Sequence, residues 1–453
     1  MRTLVHGFAI AGEATVRALL KFGHHVVVTD DNIDDQKERT ATSLGLSLRS
    51  LPPEGELPAF LSAFDLVVPA PGVPEYHALI TTAQNLGVRL ASEIELAYEW
   101  EQQRPGGPRP ILAVTGTDGK TTTCEMAVSM LTAAGVRSIA AGNTDVPLVE
   151  AIDLDVDVYV VECTSFRLAW TDSFRPRAAV WLNLAPDHLN WHRSMESYEA
   201  AKARLFRFQT PADVAIGNCD DTIVSRHLES SNARTVTFGR GGAYHLDGEW
   251  LCGPCGKIIS TSEMPRALPH DIDDALAAAA LVIESGHATA SDVAHALRTF
   301  SAPPHRLEWV AAVNGVDFYN DSKATTPHAA SAAIRAFPQA VLIAGGRNKD
   351  LDLSPMSAAG RELRAVVAIG EAAGEISSVF EGVTEVVSAG SMEGAVEIAA
   401  RLARGEGQVV LSPGCASFDW YPTGGYPARG EHFARLVRDL SARVSLESTG
   451  GAR

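Results

Sequence analysis

The chain lacks any uninterrupted run of ~18 apolar residues, the length a membrane-spanning helix needs. Residues 1–22 also lack an apolar stretch ending in a small-residue cleavage pattern, so no secretory leader is expected and a cytoplasmic location is. Cysteine is sparse. Six thiols, Cys124, Cys163, Cys219, Cys252, Cys255 and Cys415, are scattered over 453 residues, which argues against a disulfide scaffold and fits a reducing compartment. Positive charge is in deficit, with 38 Lys and Arg against 55 Asp and Glu, a formal net charge of -17. Such a chain has no general attraction for nucleic acid or an anionic membrane, so neither is expected as a partner. The remainder, 46% hydrophobic and 21% charged, is ordinary for a globular protein, and ~150 residues per domain predicts three domains.

Short apolar runs alternate with helical patterns along the whole chain, the mark of an α/β fold. In residues 1–105, TLVHG, HHVVVTD and FDLVVPAPG read as buried parallel strands, with GEATVRALLKFG and YHALITTAQNLG as helices between them. A Pro- and Gly-rich linker, Arg104 to Pro110, follows. The second segment, 111–302, holds the strands ILAVTG, VDVYVVE, AAVWLNLA and ADVAIGN, and closes near Ser301-Ala302-Pro303-Pro304. The third, 303–453, holds GVDFYND, AVLIAGG, AVVAIG and QVVLSPG, and its last residues, SLESTGGAR, read as a frayed tail. Cys252-Gly-Pro-Cys255 lies between YHLDGEWL and KIIS, where a β-hairpin is expected; a redox pair would open a helix instead.

The strongest chemical signal is Ile111-Leu-Ala-Val-Thr115-Gly116-Thr117-Asp118-Gly119-Lys120-Thr121-Thr122-Thr123. A buried strand runs into a Gly-rich turn and a helix begins at the threonines. Backbone N–H groups and the helix dipole of such a loop favour phosphate, Lys120 can bridge terminal phosphates, and Thr121 can offer its hydroxyl to Mg²⁺. Val114 stands where the strict phosphate-loop spacing has Gly, so this is a shortened variant. Near the amino end, Val5-His6-Gly7-Phe8-Ala9-Ile10-Ala11-Gly12 precedes a helix whose N-terminus can receive another phosphate. Ala9 replaces a glycine of the dinucleotide fingerprint, which argues against NAD.

The variant loop G-T-x-G-K-T-T resembles the ATP loop of the Mur ligases and the folylpolyglutamate synthases, and the strings after it match the Mur ligase family in order. The resemblance implies three domains: a Rossmann-like domain for a UDP substrate, a central P-loop-type ATPase domain, and a Rossmann-like domain for the amino acid. It implies ATP contacts at Gly116, Thr117, Asp118, Gly119, Lys120, Thr121, Thr122, Arg306 and Asp321. Mg²⁺ ligands are implied at Thr121, at Glu162 in VVECTSF, and at His188 in NLAPDHL. Lys202, in SYEAAKARLF, matches a lysine that the family carbamylates with CO₂, which makes an oxygen donor of a cation. Its alternative reading is a solvated helix lysine. Lys323, in NDSKAT, is implied beside the transferring phosphoryl group, so Lys120, Glu162, His188, Lys202 and Lys323 form the expected catalytic set.

The strings GGRNK at 345–349 and SPGCASFD at 412–419 look like those of the branch that adds D-glutamate to UDP-N-acetylmuramoyl-L-alanine. That likeness implies glutamate contacts at Thr325, Lys349, Ser417 and Tyr426, and sugar-nucleotide contacts at Gly7, Gly12, Asp30, Gly72, Asn143 and Thr164. The expected partners are those two substrates, with the chain a monomer. Several positions depart from the family pattern: Asp118, the acidic string His270-Asp271-Ile272-Asp273-Asp274, Asn143-Thr144-Asp145, and Arg167 in place of a glutamine. Carboxylates near ATP repel it unless a cation intervenes. A sister ligase using L-glutamate and a non-catalytic nucleotide-binding relative remain as alternatives.

Overall fold

A computed structural model describes residues 1–403, 405 and 407–450, with 445–450 described by backbone alone. The chain forms two compact units. The first comprises 1–184, 188–267 and 271–300; the second comprises 185–187, 268–270 and 301 onward.

In the first unit, β1 (Arg2–His6), β2 (His25–Thr29), β3 (Leu48–Arg49), β4 (Leu66–Pro69) and β5 (Arg89–Leu90) form a parallel sheet of order β3-β2-β1-β4-β5. A second parallel sheet, of order β11-β10-β9-β6-β8-β7, contains β6 (Ile111–Thr115), β7 (Ser138–Gly142), β8 (Val158–Glu162), β9 (Ala178–Trp181), β10 (Val214–Asn218) and β11 (Arg234–Phe238). The strands of this sheet are apolar on both faces because both faces are covered. Ile111 and Ala113 of β6 feed one core, and Leu112 and Val114 feed another. The first of those cores also takes Val5 and Val28 from the amino-terminal sheet. One continuous core therefore joins the two sheets across the 104–110 linker. The small antiparallel sheet of β12 (His245–Asp247), β13 (Trp250–Gly253) and β14 (Gly256–Ser260) completes the unit. Cys252 and Cys255 lie at the β13–β14 turn, one buried and one exposed, as the hairpin reading requires.

The second unit is a six-stranded sheet of order β15-β16-β20-β17-β18-β19. Its strands are β15 (Glu308–Val313), β16 (Val316–Asn320), β17 (Val341–Gly345), β18 (Ala365–Ile369), β19 (Glu385–Ala389) and β20 (Gly407–Gly414), with only β15 antiparallel. Two sequence readings change here. The string YPTGGYPARG is not all loop, because a helix starts at Gly425, and Pro427 is tolerated in its first turn, where no N–H partner exists. The tail read as frayed is helical through Gly450, while 451–453 lie outside the described residues. Among the described residues no helix is long and apolar enough to cross a membrane.

Candidate active site

The carboxyl end of β6 leads through Gly116–Gly119 into the helix Lys120–Ala133. Gly119 sits at φ +84°, and a Cβ there would lie 2.4 Å from Asp274 Oδ1, so only glycine fits this corner. Asn183, just past β9, clamps the loop: its Oδ1 accepts from the backbone N–H of Thr117 (2.9 Å) and of Asp118 (3.0 Å). Those two amides are thus occupied, and the anion-facing donors are the N–H groups of the helix's first turn, which have no intrahelical acceptor.

Two ammonium groups converge on one carbonyl. Lys120 Nζ donates to Gly116 O (2.8 Å) and Thr117 O (2.7 Å), and Lys202 Nζ donates to Gly116 O (2.6 Å). Lys202 lies on the helix Met195–Arg207, is only 1% exposed, and sits 4.7 Å from the Tyr198 ring. It is therefore not a solvated surface lysine. Two cations at a loop carbonyl make the spot electropositive, as a polyphosphate site must be.

A buried relay runs alongside. Arg167 Nε donates to Glu93 Oε1 (2.9 Å) and its Nη1 to Asn143 Oδ1 (2.8 Å). Asn143 Nδ2 in turn donates to Glu162 Oε1 (2.9 Å). Glu162 Oε2 is buried with no hydrogen-bond partner. A buried carboxylate oxygen left without a donor is costly. It is also the free oxygen ligand that Mg²⁺ prefers, so the donor set fits that ion. Desolvation raises the Glu93 pKa, against the opposing pull of Arg167. His188 adopts φ +58° and packs its ring 4.6 Å from Phe166, while Thr164, at the N-cap position of the short helix Ser165–Leu168, accepts from Arg167 Nη1 (3.4 Å).

Two of the acidic departures, Asp271 and Asp274, have local partners. Arg266 holds Asp271 with two hydrogen bonds (2.7 and 2.6 Å), and Asp274 accepts from the Thr123 hydroxyl (3.0 Å). Arg266 offsets the charge of Asp271, and Asp274 braces the first turn of the helix Lys120–Ala133 through Thr123. Burial pushes the Cys124 and Cys163 thiols up, so both stay protonated and inert.

Gly7, Gly12, Asp30 and Gly72 gather at the carboxyl ends of β1, β2 and β4. Gly7 has φ +92°, and a Cβ on Gly12 would lie 1.9 Å from Gly7 O, so both glycines are required by the strand–helix approach itself. Asp30 accepts from Phe8 N–H (2.5 Å), Asn32 N–H (2.8 Å) and Lys37 Nζ (2.9 Å). Burial alone would raise its pKa, but these donors outweigh burial and hold it below the ordinary value. Gly72 is open to solvent. A narrow crevice lined by Gly12, Pro71, Glu93, Phe166 and Arg167 links this cluster to the relay.

In the second unit, Asp321, Lys323 and Thr325 follow β16, Lys349 follows β17, and Ser417 and Tyr426 follow β20. These are neighbouring parallel strands, so the loops share one sheet end. Asp321 is buried, accepting from the Leu307 N–H (3.3 Å) and the Ser412 hydroxyl (2.7 Å). Arg306 lies one residue before Leu307 and is largely withdrawn from solvent. Lys323 Nζ stands 5.6 Å from the Tyr426 ring centroid, and Lys349 Nζ donates to Asp187 Oδ1 (3.2 Å). Ser417 is 2% exposed. The organiser that sequence reasoning missed is Arg429. It is 1% exposed and donates to Ser322 O (2.8 Å), Ser322 Oγ (3.0 Å) and Cys415 O (3.2 Å), stapling the β16 and β20 loops together. Burial lowers its pKa to about 10. Asn183 was likewise passed over as a site residue. Its only signal was its place after a strand in NLAPDHL.

A phosphate-binding loop on a parallel sheet, two lysines at its turn and an unpaired carboxylate oxygen beside it define a nucleotide-binding α/β protein. Residues 114–251 match the Mur ligase middle domain, and residues 305–415 match the Mur ligase glutamate ligase domain. The UDP-N-acetylmuramoylalanine--D-glutamate ligase of Frankia casuarinae is 40% identical, over 96% of this chain and 93% of that protein. The Thermobifida fusca protein of the same name is 36% identical, over 97% and 98%. The chain belongs to the Mur ligase family. Solved structures share its fold at low identity. MurF from Acinetobacter baumannii is 18% identical with a TM-score of 0.61, over 84% of this chain and 91% of that one. MurC from Thermotoga maritima is 18% identical with a TM-score of 0.57, over 97% and 99%.

Proposed function

We propose that this chain is an ATP-dependent ligase that joins D-glutamate to UDP-N-acetylmuramoyl-L-alanine, a step in peptidoglycan precursor synthesis. The observation that carries the reading is the pairing of Lys120 and buried Lys202 at Gly116 O, with the free Glu162 oxygen nearby. Its relatives, coextensive with nearly the whole chain, bear the name of that activity.

Amide formation needs an activated carboxyl, because a carboxylate is a poor electrophile. An oxygen of the L-alanine carboxylate attacks the γ-phosphorus of ATP, the bond to the bridging oxygen breaks with its electrons going to ADP, and an acyl phosphate results. The amine of D-glutamate then attacks the acyl carbon. The tetrahedral adduct expels phosphate and loses the amine proton. Lys120, swinging out from the loop carbonyls, spreads the charge on the transferring group, and the first turn at Lys120, Thr121 and Thr122 cradles the phosphates. Glu162, Thr121, His188 and a carbamylated Lys202 are the residues that would hold Mg²⁺. When bound, that ion supplies charge neutralisation on the phosphate oxygens. Carbamylation would replace the buried ammonium with an anion that keeps a single N–H on Nζ for Gly116 O and adds two oxygen donors.

In this reading residues 1–105 form the UDP-substrate domain, with contacts from Gly7, Gly12, Asp30, Gly72, Asn143 and Thr164. Residues 111–302 form the ATP domain, and 303–453 the amino-acid domain. Arg306, Asp321 and Lys323 serve the nucleotide, while Thr325, Lys349, Ser417 and Tyr426 take the glutamate carboxylates.

The test is phosphate release with ATP, Mg²⁺ and UDP-N-acetylmuramoyl-L-alanine, adding D-glutamate, L-glutamate or neither, with the product mass measured. A glutamyl product only with D-glutamate supports the reading. Product only with L-glutamate keeps the mechanism and overturns the specificity. ATP binding without product from either overturns the enzyme.

A further inference from the structure

We propose that His6, Asp31 and His77 form a binding site for a divalent cation of the zinc class, separate from the Mg²⁺ ligands around Glu162. The three residues lie at the carboxyl ends of neighbouring parallel strands. His6 ends β1, Asp31 follows β2, and His77 follows β4 and caps the helix Ala78–Leu86. Because β1 runs between β2 and β4, the sheet itself brings the three together, at the edge where α/β folds take their ligands.

Two of the three ligand separations match those around a tetrahedral metal. Asp31 Oδ2 lies 3.5 Å from His6 Nε2 and 3.4 Å from His77 Nε2, and all three ligand atoms fall within 4.8 Å of one another. A tetrahedral ion with bonds of about 2.0–2.1 Å places its ligand atoms about 3.3–3.4 Å apart. One of the imidazoles, His6, is also held from behind. His6 Nδ1 lies 3.0 Å from Thr29 Oγ1, and in the tautomer whose Nδ1–H donates to that hydroxyl the Nε2 lone pair faces Asp31. A lone pair aimed at a carboxylate is repulsive unless a cation sits between them. Hydrogen bonding at the far ring nitrogen is the arrangement that fixes a ligating histidine. His77 Nδ1 accepts from Leu79 N–H (3.2 Å), so its proton sits on Nε2. For Nε2 to ligate a metal, the proton must move to Nδ1 and the ring must turn away from Leu79 N–H, giving up that cap.

His6 is 1% exposed and the His77 side chain 23%, whereas Asp31 is 57% exposed, so two imidazoles face a solvent-side carboxylate with room for water as the fourth ligand. Two nitrogens and one oxygen suit Zn²⁺ or Co²⁺ rather than Mg²⁺, which demands octahedral oxygen. The site does not depend on the ligase reading. Occupancy would cross-link the three loops that carry Gly7, Asp30 and Gly72.

The experiment titrates Co²⁺ into the full chain with excess Mg²⁺ present, following the visible d–d bands of tetrahedral cobalt. It is repeated for Asp31→Asn, His77→Ala and Glu162→Gln. The wild type is expected to bind one equivalent with tetrahedral bands that Zn²⁺ bleaches. Asp31→Asn and His77→Ala should weaken binding at least ~10-fold, and Glu162→Gln should leave the spectrum intact. Zn²⁺ should raise the melting temperature of the wild type but not of Asp31→Asn, whose exposed position keeps the fold safe if His77→Ala unfolds. No tetrahedral spectrum in the wild type, the same affinity in Asp31→Asn, or loss of the spectrum in Glu162→Gln would each overturn the site.

Discussion

The first unit contains the same local device twice, and the two copies are wired oppositely. After β1, a strand enters a turn through Gly7 at φ +92° and a helix begins at Ile10; after β6, a strand turns at Gly119 with φ +84° and a helix begins at Lys120. The first turn has its Phe8 amide taken by a carboxylate, Asp30. The second has two amides taken by a neutral amide, Asn183, and adds the lysines at positions 120 and 202. Backbone geometry makes both turns able to face phosphate, and charge separates them. The cationic turn can stabilise a phosphoryl group while it gains charge in transfer. The acid-braced turn has its carboxylate paired with Lys37 and offers no second cation of that kind among the described contacts.

Lys120→Met should break this contrast most. We expect kcat to fall ~10³-fold with circular dichroism unchanged, while Asp30→Asn shifts only the KM for the sugar nucleotide. Steady-state phosphate release on both variants measures the difference, and equal effects would erase it. Next comes the relay behind the cationic turn. Arg167→Met leaves Glu93 buried without its cation and should cost ~3–5 kcal/mol of stability, seen in urea unfolding. Arg167→Gln restores a donor to Asn143, and its Mg²⁺ requirement should rise less than that of Arg167→Met. Identical Mg²⁺ curves would remove Arg167 from any role in placing Glu162.

Smaller effects test the turns themselves. Gly119→Ala places a Cβ 2.4 Å from Asp274 Oδ1, and Gly7→Ala places one 2.6 Å from Ala70 Cβ, both at positive φ. Each should lose ~1–3 kcal/mol by thermal melting, with ATP affinity falling in the first variant and sugar-nucleotide affinity in the second. The smallest expected effect is a pH dependence. Asp30 has its pKa held down in the folded chain, so its stabilisation is complete above its unfolded pKa of about 3.9 and is lost as pH falls through the lower folded value. The stability advantage of the wild type over Lys37→Ala should therefore be constant at neutral pH and shrink below about pH 4. An advantage that grows with acidity would reverse the assigned sign.

Legibility in the sequence followed the range of the interaction. The strands ILAVTG and VDVYVVE, the turn before Lys120 and the hairpin around Cys252-Gly-Pro-Cys255 depend on neighbours within a few residues, so periodicity and glycine placement exposed them. The helix starting at Gly425 was obscured because Gly and Pro read as loop, although both are tolerated in a first turn. Lys202 and Arg429 gave no local sign of burial. Each is a cation in a polar helical pattern, and each is buried only because a loop 86 or 107 positions away supplies its acceptors.

By itself the sequence determined the α/β alternation, the phosphate loop and the likeness to the Mur ligases, because each is written in contiguous residues whose types dictate local backbone geometry. Tertiary structure alone decided that Glu93 meets Arg167 across 74 positions, that Asn183 holds the loop amides, that Glu162 keeps one oxygen free, and that His6, Asp31 and His77 share one sheet edge. Burial, strand order and partner choice are properties of the packed chain, and no stretch of sequence contains both members of such a pair.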